Sequence, residues 1–116
     1  MLTLYGIANC DTIRKTRQWL DVHGVAYRFH DYRSDGIDAA LCTRLLQALP
    51  LSTLINTRGT TWRALPEETR LALSEETAPA LMQAAPALIR RPLLQTPAGW
   101  LSSADPSVLA ALLEHS

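Results

Sequence analysis

The segment Leu2–Lys15, LTLYGIANCDTIRK, constrains the fold more than any other part of the chain. Leu2, Leu4 and Tyr5 form a short apolar run of strand type, which Gly6 ends. Asn9 reads as an N-cap that opens a helix from about Cys10 to His23, with Gly24 as its stop. A strand that passes into a helix so quickly belongs to an α/β architecture. It also puts Cys10 at the hand-over, where orphan N–H groups and the positive end of the helix dipole favour an anion. A thiolate is such an anion, and it is the reactive form of cysteine.

Magnitudes limit what that position does alone. A free thiol with a pKa near ~8.5 is only a few per cent ionised at neutral pH. Lowering that pKa by two units requires about 2.7 kcal/mol of preference for the thiolate. A helix terminus supplies roughly 0.3–1 kcal/mol, and Asp11 next door opposes it. A catalytic Cys10 therefore needs cations: Arg14 and Lys15 nearby, or a distant arginine. The competing reading is plain packing, because cysteine is among the most buried residue types. The strand–turn–helix setting is what separates Cys10 from that background.

At 116 residues the chain is expected to form one domain, residues 1–116, with a core that needs no disulfide staples. Eleven basic and eleven acidic side chains cancel, so no global field draws nucleic acid or an anionic membrane. No signal peptide is visible, and no apolar run approaches the ~18 residues of a membrane span. Cysteines at 10 and 42 make no disulfide framework, which points to a reducing cytoplasm. Ile13, three residues after Cys10, rules out a CxxC motif, and no Cys/His cluster has zinc-ligand spacing.

Further along, Ile13, Thr16, Leu20 and His23 share one helix face, with Trp19 at its flank. Val25, Tyr27 and Phe29 alternate with Ala26, Arg28 and His30 as a half-buried strand. Asp35-Gly36 marks a turn, and Asp38 caps a second helix to about Leu49. Cys42, Leu45, Leu46 and Leu49 share its apolar face, so Cys42 reads as a small core residue. This β-α-β-α opening predicts parallel first strands. Asn56-Thr57-Arg58-Gly59-Thr60-Thr61 is a polar loop in an apolar stretch, and Pro66 and Pro79 open two short helices. Arg90-Arg91, set between apolar runs and directly before Pro92, suggests an anion partner or a buried carboxylate. Leu93–Thr96 and Trp100-Leu101 read as a hairpin about Pro97-Ala98-Gly99. Asp105-Pro106 caps a last helix with Val108, Leu109, Leu112 and Leu113 facing inward. The expected architecture is α/β and thioredoxin-like: β-α-β, a helical insertion over about residues 38–86, a β-hairpin and a C-terminal helix.

Together, Leu4-Tyr5-Gly6 through Cys10, Asn56-Thr57-Arg58 and Leu88-Ile89-Arg90-Arg91-Pro92-Leu93 resemble the ArsC/Spx family of thioredoxin-like proteins, most strongly its small YffB-type subgroup. The resemblance runs the whole length of the chain. It implies a catalytic or redox cysteine at Cys10, a cis-proline at Pro92 facing it, and oxyanion-binding arginines, with Arg91 matching the arginine before that proline. A guanidinium within about 4 Å of a thiolate, at an effective dielectric near 20, is worth about 4 kcal/mol before desolvation costs. Arg91 so placed supplies what the helix terminus lacks. The departures are equally specific. The family's arsenate reductases carry a second essential arginine where this chain has Asn56, with Arg58 two residues on. Their third arginine belongs near Ser102–Ser103, and the histidine four residues before their cysteine is Gly6 here. Spx regulators carry the CxxC that Ile13 breaks. These departures argue against arsenate reduction and against an internal disulfide switch.

A single cysteine needs a second thiol to resolve a mixed disulfide. Glutathione, as co-substrate and without a metal, is the abundant source. The expected activity is a glutathione-dependent thiol/disulfide reductase in which Cys10 is the nucleophile. Arg14, Arg58 and Arg91 would suit glutathione carboxylates, and backbone beside Pro92 an extended peptide. The expected partners are glutathione and a small-molecule or protein disulfide. Two rival readings stand beside this one: a glutathione- or glutaredoxin-linked arsenate reductase, and a non-enzymatic Spx-like regulator that binds RNA polymerase. A reductase requires an activated Cys10, and a binding module does not.

Overall fold

The computed structural model describes residues 2–111, and the chain folds as two compact units. One unit runs to Ser34 and resumes at Arg91; the other is Asp35–Arg90. The expected helical segment over about residues 38–86 lies inside the second unit.

The first unit is built on four strands: β1 (Leu2–Gly6), β2 (Tyr27–Asp31), β3 (Leu93–Thr96) and β4 (Gly99–Leu101). Their order in the sheet is β2-β1-β3-β4. β1 and β2 are parallel, as the opening pattern predicts, and α1 (Asp11–Val22) connects them. β3 runs antiparallel to β1 and pairs with β4 as a hairpin. Gly99 pairs with Thr96 as the first residue of β4, so the turn is Pro97-Ala98 alone. Period-two alternation gives the sheet two faces. Leu2, Leu4, Leu94 and Leu101 lie on one, where Ile13, Leu20 and Leu109 complete a core flanked by Cys10, Trp19, Tyr27 and Phe29. Tyr5, His30 and Trp100 lie on the other, with ring centroids 5.2 Å apart for Tyr5–His30 and 5.6 Å for Tyr5–Trp100. His30 is thus a strand residue in an aromatic stack.

Two local expectations are corrected here, at the start of the first helix and in the last one, while the first helix ends where the sequence predicts. Cys10, not Asn9, is the N-cap of α1, because the chain enters helical geometry one residue later than the Asn suggests. His23 is the C-cap and is exposed; its Nδ1 lies 2.8 Å from the Trp19 carbonyl oxygen, and Gly24 follows with φ +67°. In the last helix (Pro106–Leu109), capped by Asp105, Leu109 is buried while Val108 is 36% exposed. Leu112 and Leu113 lie outside the described residues.

The second unit holds α2 (Ala39–Ala48), α3 (Leu51–Leu54), α4 (Thr60–Arg63), α5 (Glu67–Leu71), α6 (Ala78–Ala84) and a 3-10 turn at Pro86–Leu88. Asp38 caps α2 by accepting the Leu41 N–H at 2.8 Å. Leu41, Cys42 and Leu45 are its buried face. The polar loop that composition suggests persists at residues 56–59, between α3 and α4, and its last two residues, Thr60 and Thr61, open α4. The Asn56 N–H donates to the Leu88 carbonyl and the Arg90 N–H to the Leu54 carbonyl, both at 2.8 Å, around an Ile55–Ile89 bridge. Among the described residues no helix is long and apolar enough to cross a membrane.

Candidate active site

The site begins with the path of the backbone. Tyr5 is paired with both His30 and Leu93, so the residues before Leu93 reach the end of the sheet where β1 hands over to α1. That end carries Ile7–Cys10 on one connection and Arg91-Pro92 on the other. The Arg91–Pro92 peptide bond is cis. The topology thus brings Cys10, Arg91 and Pro92 to one end of one sheet. Arg91 is half-buried and Pro92 buried.

Cys10 has an extended backbone, φ −145° and ψ 128°, and its carbonyl accepts the Arg14 N–H at 2.9 Å as the first bond of α1. Its side chain makes no capping hydrogen bond, is half-buried and packs at the edge of the leucine core. The thiol therefore sits at a helix N-terminus with one side toward solvent. One turn on, the wholly buried Ile13 occupies the position a CxxC motif gives to its second cysteine. A Cβ on Gly6 would lie 2.3 Å from Ile13 Cδ1 and 2.8 Å from Ile13 Cγ1. The strand carries glycine because the helix packs its isoleucine onto that spot. Gly6 and Ile13 are thus two sides of one packing contact.

The other expected residues divide between the units. Arg14 is exposed and ion-paired to Asp11, whose carboxyl that hydrogen bond and charge hold below the usual range. The local cation and the local anion thus offset each other beside Cys10. Arg58 lies in the second unit and is exposed, with its N–H donating to Asn56 Oδ1 at 3.1 Å. Its carbonyl accepts from the Arg63 guanidinium. Asn56 is a turn-former. The Arg90-Arg91 pair splits as well: Arg90 Nε donates to the Thr53 carbonyl at 2.6 Å inside the second unit, so its partner is a carbonyl and not a carboxylate. Cys42 is fully buried, and its S–H points to the Pro79 carbonyl at 3.8 Å. Burial pushes its thiol up, with the Asp38 charge adding to the shift.

Sequence reasoning passed over Asp31. The residue is 8% exposed, and its carboxylate accepts the N–H groups of Ala8 (3.1 Å), Arg33 (2.8 Å) and Ser34 (3.4 Å). The legible signal was an Asp closing a strand before Tyr32-Arg33-Ser34, the pattern of a side-chain-capped turn. Its reach to Ala8 has no local signature.

Comparison with known proteins gives a consistent picture. The sequence matches the profile of the ArsC family over residues 5–112. It is 40% identical over 94 residues to an uncharacterised protein of Haemophilus influenzae, covering 81% of this chain and 82% of that one. A solved structure of the YffB protein superposes with a TM-score of 0.88 at 42% identity, covering 96% of this chain and 97% of its own. An arsenate reductase (ArsC) related protein from Brucella melitensis superposes with a TM-score of 0.78 at 40% identity, covering 97% of this chain and 94% of its own.

Proposed function

This chain belongs to the ArsC family, and from that premise we propose that it is a thiol-based reductase that works through a single nucleophile, Cys10, with glutathione as the resolving thiol. The carrying observation is the pairing of a half-buried thiol at the N-terminus of α1 with a buried isoleucine where a second thiol would stand. Cys10 attacks a disulfide sulfur, forms a mixed disulfide and releases one thiolate. Glutathione thiolate then attacks that mixed disulfide and regenerates Cys10, leaving the oxidised half bonded to glutathione. Buried, protonated Cys42 is a poor resolving group. Arg91 is our choice of cation for the thiolate and, with Arg14, for the carboxylates of glutathione. Backbone beside Pro92 suits an extended peptide. A reducing cytoplasm fits this chemistry.

Turnover tests the reading. Reduction of a small disulfide in the presence of glutathione is expected from wild type and Cys42→Ala, and lost in Cys10→Ser; activity that survives Cys10→Ser overturns it. Names among the relatives keep arsenate as a second substrate to assay. With Asn56 holding a turn and serines at 102–103, arsenate turnover is expected to be absent or very weak.

A further inference from the structure

The connection that carries Cys10 is held at several points. The Gly6 carbonyl accepts the Tyr32 N–H at 2.9 Å, and the Cys10 carbonyl accepts the Arg14 N–H at 2.9 Å. Between them, the Ala8 N–H donates to Asp31 Oδ2 at 3.1 Å. Ala8 and Asn9 form an exposed bend, so this bond reaches the middle of the loop. The two carboxylate oxygens divide the work: Oδ1 takes the Arg33 and Ser34 N–H groups of the turn after β2, and Oδ2 takes Ala8. We propose that Asp31 is a positioning residue for Cys10: it fastens the β1–α1 loop to the end of β2 and so sets the sulfur at the helix terminus. The proposal rests on the reading of Cys10 as the nucleophile.

The chemistry explains why a carboxylate stands there. Two acceptors are needed on one short side chain. An asparagine at 31 would keep one acceptor for the turn and direct an N–H donor at the Ala8 N–H. The charge itself works against a thiolate, so electrostatic help to Cys10 is not the reason for Asp31. Other charges at this end of the sheet include the paired Asp11 and Arg14, Lys15 of α1, Arg33 beside Asp31, and Arg91 before β3.

This opposition of signs makes the proposal testable. In Asp31→Asn, removal of a negative charge alone would ease thiolate formation and speed alkylation of Cys10. Loss of positioning would slow it. We expect Asp31→Asn to melt cooperatively, with the Ala8 amide exchanging about tenfold faster while the Arg33 amide stays protected. Alkylation of Cys10 at pH 7, mapped by mass spectrometry, should fall by about threefold or more, and its pH profile should move to higher pH. Ala8→Pro deletes the same donor and leaves the carboxylate in place, so it should slow Cys10 similarly. This second variant decides the matter if Asp31→Asn does not fold. A Cys10 profile in either folded variant that overlays wild type, or moves to lower pH, overturns the positioning role. A wild-type Cys10 that reacts no faster than an unstructured cysteine peptide overturns the nucleophile reading itself, and positioning with it. A fast wild type beside unchanged variants removes positioning alone.

Discussion

At Asp31 and Cys42 burial acts in the same direction and the outcomes differ. Burial pushes the Asp31 carboxyl up, but the N–H groups of Arg33, Ala8 and Ser34, with the Arg33 charge, outweigh it and leave the group below the usual carboxylate range. Cys42 has no comparable set of donors and stays pushed up. Because the folded pKa of Asp31 is depressed, its contribution to stability is complete above the unfolded value near ~4 and is lost as pH falls through the folded value. Urea unfolding of wild type should therefore shift to lower midpoints in acid below about pH 4, and Asp31→Asn should show a shallower acid dependence. Identical pH slopes would remove Asp31 as the source. Arg91 is the other residue to test at this scale. Arg91→Ala should slow the time course of glutathione uptake by Cys10 from oxidised glutathione, and Arg91→Lys should restore it in part, since lysine supplies the charge without the bidentate fork. Three coincident curves would make Arg91 a residue of the fold only.

Between elements, the contact of β1 with α1 is the one that shapes the site. Gly6→Ala drives a Cβ into the Ile13 side chain, and such overpacking costs about 1–3 kcal/mol. Adding Ile13→Val, which deletes the Cδ1 in the way, should recover part of that loss although the same change destabilises wild type. Strictly additive urea stabilities would contradict the interlock. This contact also marks how far the sequence could be read. Gly6 reads correctly as a strand end, and Ile13 as a core residue and a broken CxxC, but their meeting depends on how a helix settles on a sheet. Asp38, Asp105 and Gly24 were legible because caps and stops act within a few residues. The leucine face of Cys42 was legible because helical periodicity repeats it. Asn9 and Val108 misled, since cap preference and a two-turn pattern leave one-residue shifts open. Arg90 to Thr53 and Asp31 to Ala8 span 37 and 23 residues, and no local pattern encodes such pairs.

For the whole molecule, family membership and the β-α-β then hairpin order agree with the thioredoxin-like expectation. The register Tyr5–Leu93 carries residues about eighty positions apart to one end of the sheet, so Cys10 and Arg91-Pro92 share it. Within that frame the chain carries one half-buried cysteine at a helix terminus and one fully buried cysteine. The half-buried Cys10 thiol is the one expected to form the mixed disulfide. Mass spectrometry of the native protein after exposure to oxidised glutathione tests it most directly, in wild type, Cys10→Ser and Cys42→Ala. The predicted result is one glutathione adduct on wild type and Cys42→Ala, mapped to Cys10 and released by added thiol, with none on Cys10→Ser. An adduct on Cys42, or a wild type that takes up none, would contradict it.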